Sequence, residues 1–153
     1  MTDYTTINES LEVTAEKLGD FTPNVFEVFY TRFPEARDYF KKENDPGLEG
    51  DMLTEVVYCF FQHLESPGSA KVSIMEMVPH HQFLGIPSEH FIGLFESVVE
   101  VVTSVAPDER RELWVECWNN VLSEVTSIAK ESAEDPGKFK ALSLKNESLC
   151  RRV

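Results

Sequence analysis

The chain has 153 residues, 42% of them apolar, with 14 Lys and Arg against 27 Asp and Glu for a formal charge of −13. That length suits one compact domain with a sizeable core. The acidity speaks against nucleic acid and anionic membrane faces as partners, and solubility is its plain reading. The opening MTDYTTINES has neither an apolar core nor a basic cluster, so no signal peptide is expected. The longest mostly apolar stretch, 91–105, is interrupted by Glu96, Glu100 and Ser104, which excludes a membrane span. Cys59, Cys117 and Cys150 form no CxxC pair, so a zinc knuckle or dithiol motif is unsupported and a reducing, cytoplasmic location is expected.

Ile7, Leu11, Ala15 and Leu18 recur at helical spacing and predict an amphipathic helix over about 7–19. Thr22-Pro23 reads as a helix start, a capping hydroxyl followed by proline at the first helical position. Val25, Phe26, Phe29, Tyr30 and Phe33 mark one broad apolar face. Pro34 ends that helix, and a short tight helix follows to Phe40. KKENDPGLEG (41–50) is polar and rich in breakers, hence a loop. Met52, Leu53, Val56, Val57, Phe60, Phe61 and Leu64 predict a strong helix that Ser66-Pro67-Gly68-Ser69 ends. A shorter helix carries Ile74 and Met77 toward His81, with Pro79 expected to kink it. Ser88 is placed to cap the next, whose apolar set is Phe91, Leu94, Phe95, Val98, Val99 and Val102. The VVEVV run at 98–102 keeps the helical period of its surroundings. After the break at 106–108, Leu113, Trp114, Cys117, Trp118, Val121, Leu122, Val125 and Ile128 give the clearest helix of all. Pro136-Gly137 and aperiodic charge make 133–153 read as a mobile tail behind a domain at 1–132. The chain is all-α, and periodicity alone leaves open an ordinary bundle or a globin.

Two segments carry a resemblance. FEVFYTRFPEARDYF (26–40) resembles the second-to-third helix region of globins, with Pro34-Glu35 and a phenylalanine, Phe40, six residues after the proline. HHQFLGIPSEHFIGLFESV (80–98) resembles the proximal segment of bacterial single-domain globins, of the haemoglobin domain of flavohaemoglobins and, in part, of sensor globins. From His81 it sets out Gly85, Ile86 and Glu89-His90-Phe91 in the family's order. The resemblance implies a globin fold of six to eight helices around haem b, with Phe40 stacked on the haem and His81 as the iron ligand. His80 is the alternative. His81 places apolar Met77 one turn earlier, whereas His80 would place Glu76 against an apolar ring. A myoglobin-like spacing to Ile86-Pro87 would instead favour His80. His63 and His90 are read as surface or packing histidines.

The same resemblance puts Phe26 where flavohaemoglobins usually carry a tyrosine, and Met52 where others carry histidine or glutamine, with Val56 one turn on. Moving the register by one residue offers Leu53, again apolar. Helical phase points Thr54 and Tyr58 away, which leaves Tyr30. Phe91 stands where flavohaemoglobins have a tyrosine that helps activate oxygen. Bound oxygen gains about 1.5–3 kcal/mol from a hydrogen bond involving a charged group, so tight oxygen storage is not favoured. The expected function is reversible binding of a diatomic gas (oxygen, carbon monoxide or nitric oxide) in sensing, transfer or scavenging, more readily than catalysis. Two other classes stay open: a haem-free globin-fold interaction module, and a haem enzyme of nitric oxide dioxygenase or peroxidase type using an external reductase. A signalling partner and an oligomer are compatible with the sequence.

Overall fold

The computed structural model describes residues 3–134. Among them are seven α-helices and one 3-10 turn, with no strand. The chain is all-α. The helices are α1 (Asp3–Leu18), α2 (Thr22–Arg32), α3 (Arg37–Glu43) after the 3-10 turn Pro34–Ala36, α4 (Leu48–Glu65), α5 (Pro67–Phe83), α6 (Ser88–Ser104) and α7 (Asp108–Glu134). The tail expected at 133–153 lies outside the described residues, apart from Ala133 and Glu134, which continue α7.

Several boundaries differ from the sequence reading, each for a local reason. Thr22 is the first helical residue rather than the cap. Phe21 is the cap, and the Thr22 amide and hydroxyl both donate to Asp20 Oδ1, at 3.0 and 2.7 Å, so Asp20 ties down the helix start from one residue before the cap. Those bonds hold the Asp20 carboxyl below its usual range. The 41–50 loop shrinks to Asn44–Gly47. Asn44 stops α3 in the left-handed region (φ 50°), a conformation asparagine tolerates, and α4 begins at Leu48. Likewise Ser66-Pro67 both ends α4 and starts α5. Extended Ser66 (φ −147°) breaks one helix, and Pro67 opens the next where a missing amide costs nothing. The helix leading to His81 is therefore long, 17 residues, not short. Ser88 is likewise helical, with Pro87 before it.

α6 lies at the centre, packed on α7, α2, α5, α1 and α4. Its close approach to α2 depends on Gly93: a Cβ there would run into the Phe33 ring. Trp114 and Trp118 of α7 are fully buried, and their indole N–H groups donate to Glu9 Oε2 (3.1 Å) and Ser10 Oγ (2.8 Å) on α1. Burying two indoles is a large apolar gain, and each buried N–H needs such an acceptor. Cys59 and Cys117 are free and buried. Burial pushes the Cys59 thiol up to about 12; burial and a contact with Asp3 also raise Cys117. No helix among the described residues is long and apolar enough to cross a membrane.

Candidate functional site

The end of α5 presents two adjacent histidines in different settings. His81 is half-buried, edge-on to Phe91 of α6 with ring centroids 5.1 Å apart. Its Nδ1 lies 2.7 Å from the Met77 carbonyl oxygen. A carbonyl can only accept, so Nδ1 carries the proton and donates. In the neutral ring, Nε2 is then left with an unused lone pair, the form in which imidazole binds a metal. Such a bond also fixes the ring's rotation and raises its basicity. His80 is exposed, and its ring stands at 89° to that of His81. Glu76, one turn before His80, is exposed as well, while Met77, one turn before His81, packs on the core. Beyond the pair, Gly85 adopts φ +86°, which turns the chain so that the Ile86 amide donates back to the His81 carbonyl at 2.9 Å. Ile86 is half-buried, and Phe95 backs Phe91 at 5.2 Å.

α2, α3 and α4 gather the remaining candidates. Phe26 is buried and meets half-buried Phe40 edge to face at 5.1 Å, with Tyr30 within 6.0 Å of both. On α4, Leu53 and Val56 are buried and Met52 is half-buried against the same core. Leu53 therefore turns inward at least as far as Met52. Thr54 is exposed and returns its hydroxyl to the Gly50 carbonyl, and Tyr58 is exposed too. Tyr30 is the buried hydroxyl of this group. It donates to Glu49 Oε2 at 2.7 Å, under the Arg37 guanidinium 4.6 Å from the ring centre. Burial and the Glu49 carboxylate push the phenol far above its ordinary value. It stays protonated, and its single proton is committed to Glu49.

The structure thus brings the candidates together in two pairs, Phe26 with Phe40 and His81 with Phe91, while the apolar α4 residues join the same core. One buried network was not foreseen. His90 is 6% exposed, its Nε2 lies 2.9 Å from Glu35 Oε1 and its Nδ1 3.1 Å from the Tyr39 hydroxyl. Its ring packs on Phe33 at 4.7 Å. Neutral His90 satisfies both partners, accepting from Tyr39 and donating to Glu35. His63 is buried against Glu124 of α7, with 2.6 Å between Nε2 and Oε2. Both are packing histidines rather than surface ones. Spacing shows which residues share a face, but Glu35 and His90 lie 55 apart in sequence.

Among the described residues no group of three or more His, Cys, Asp or Glu side chains could hold a bare metal ion. Haem needs none, since the porphyrin supplies four nitrogens and one imidazole completes the attachment. An Nε2 lone pair beside an apolar, aromatic set fits haem on chemical grounds.

No protein-family model matches the chain, and no solved structure matches it. A flavohemoprotein of Rhizobium meliloti (strain 1021) is 24% identical over 133 residues, covering 81% of this chain and 33% of that protein. The chain spans about a third of the length of this curated relative. An all-helical protein with distant likeness to a haem protein is the class that fold, site and comparison define together.

Proposed function

We propose that the chain is a haem b-binding globin that reversibly holds a diatomic gas, with His81 as the axial ligand. The observation that carries this reading is the His81 Nδ1–Met77 hydrogen bond, which sets the imidazole tautomer needed at Nε2. The flavohemoprotein likeness supports haem as the cofactor. Phe40 and Phe91 would hold the haem by aromatic contact, Met77 and Ile86 would line the His81 side, and Phe26, Met52 and Val56 would exclude water from the gas. When bound, haem supplies the iron centre at which the gas is held.

Binding is favoured over catalysis because, among the described residues, the buried hydroxyl of this group is not free to donate: Tyr30 spends its proton on Glu49. Nitric oxide dioxygenase or peroxidase chemistry ordinarily wants a distal acid–base group and would draw electrons from an external reductase. A signalling partner in place of a reductase suits the binding role. The interaction-module reading predicts a colourless protein.

An absorption spectrum of the purified chain decides first, with a Soret band and haem near one per chain expected. His81→Ala then loses most of its haem or its five-coordinate ferrous spectrum, and His80→Ala keeps both. Swapped outcomes would move the ligand to His80, and absence of haem would leave the interaction module.

A further inference from the structure

Within an α-helix each amide donates to the carbonyl four residues back. Pro79 lies inside α5 and has no amide proton, so the Met75 carbonyl loses its helical donor. Met75 is completely buried, where an unpaired carbonyl is costly. A donor arrives from another helix. Ser132, fully buried near the end of α7, points its hydroxyl at the Met75 oxygen across 3.1 Å. This is not the usual behaviour of a helical hydroxyl in this protein. Thr14, Ser97 and Thr126 each bond the carbonyl four residues back in their own helix. Ser132 instead reaches across to the carbonyl that Pro79 orphans.

The turn that follows is closed by backbone hydrogen bonds of its own, from Leu84 N to His80 O, Gly85 N to Gln82 O and Ile86 N to His81 O, so its placement on the core depends on how α5 enters it. Pro79 bounds it on one side and Gly85, at φ +86°, on the other. Phe83 and Leu84 at its end are 87% and 59% exposed, so they contribute little apolar anchorage. Where a proline interrupts the ladder, whatever satisfies the freed carbonyl sets the direction in which the helix continues. That direction aims the His81 ring.

We propose that Ser132 is a positioning residue for His81: its hydroxyl stands in for the missing Pro79 amide and fixes the last turn of α5. With that turn fixed, the imidazole keeps its bond to Met77 O and Nε2 keeps its aim. The importance of Nε2 rests on the haem reading; the link from Ser132 through Pro79 does not. The α7 end, remote in sequence, thereby becomes part of the His81 support.

The test is a two-by-two comparison. Ser132→Ala is made with Pro79 intact and with Pro79→Ala, which restores an amide donor to Met75 O. Exchange of the His81 Nδ1 proton with solvent is followed by nitrogen-15 NMR on diamagnetic protein, carbon monoxide-bound if haem is present and haem-free otherwise. With Pro79, losing one net hydrogen bond should speed exchange about fivefold. With Pro79→Ala, the same change should shift it less than about twofold. Ser132→Cys keeps the volume but is a weak donor. It should behave like Ser132→Ala and covers the case in which the alanine variant fails to fold. An equal effect in both backgrounds, or none in either, would overturn the proposal. A chain that binds no haem would sink the haem reading, while a Ser132 effect on exchange confined to the Pro79 background would still uphold the link.

Discussion

Gly93→Ala gives the sharpest check on the helix crossing that frames the site. Alanine in place of glycine inside a helix ordinarily stabilises by up to about 1 kcal/mol. Gly50, in α4, has nothing within 4 Å of where a Cβ would stand, and Gly50→Ala should follow that rule. At Gly93 the added methyl would overlap the Phe33 ring, so the ring must move by more than a few tenths of an ångström. Overpacking of this kind costs about 1–3 kcal/mol. Phe33 also packs on His90 at 4.7 Å, and disturbing an aromatic contact costs about 0.5–1.5 kcal/mol more. Subtracting the propensity gain leaves a net loss of about 2 kcal/mol, or a melting point lower by about 4–8 °C for a protein this size. Thermal unfolding followed by circular dichroism, on both variants beside the parent, reads the sign directly. A Gly93→Ala protein as stable as Gly50→Ala would refute the close approach of α2 and α6 at Phe33.

Phe40→Ala should weaken haem retention and cost about 1–2 kcal/mol, less than a fully buried phenylalanine because Phe40 is only half-buried; an unchanged rate of haem transfer to an apo-globin acceptor would remove Phe40 from the haem face. Met52→Gln or Phe26→Tyr should slow oxygen dissociation about tenfold or more by supplying a donor. A slow off-rate already present in the parent, measured by stopped-flow displacement, would show that Tyr30 lets go of Glu49. Arg110 and Trp114 hydrogen bonds hold the Glu9 carboxyl below its ordinary value. The folded-state value is thus depressed, so the stability it confers is full above the unfolded glutamate value of about 4.3 and fades as pH falls through the folded one. Glu9→Gln should flatten the acid limb of a stability–pH curve, and an unaltered limb would count against the α1–α7 tie.

What the sequence made legible was whatever repeats locally. Periodic apolar residues placed α1, α2, α4, α6 and α7, because burial of one stripe is what makes a helix stable in a protein. His81 and Phe40 are picked out by spacing against a family pattern, and their roles toward haem are part of the proposal. Breakers were harder to read. Ser66-Pro67 looked like a stop and is also a start, because proline is penalised in a helix interior and tolerated in its first turn. The break expected over 41–50 takes only Asn44–Gly47, opening on one left-handed residue. The supports around the candidate site stayed hidden altogether. Ser132 reaches a carbonyl 57 residues away, and His90 finds Glu35 across two helices. Such pairings depend on how helices cross, which no window along the chain contains.

The two buried thiols have a chemical consequence. A group with its pKa near 12 is ionised at neutral pH in only about one molecule in 10⁵, and thiolate is the form that electrophiles attack. Buried and protonated, Cys59 should react slowly with alkylating, oxidising or nitrosating reagents while the helices stay packed. Reagent can reach it when the packing between α4 and its neighbours opens. Labelling of Cys59 then reports the frequency of that opening, a built-in clock for the motion of the helix that carries Met52, Leu53 and Val56.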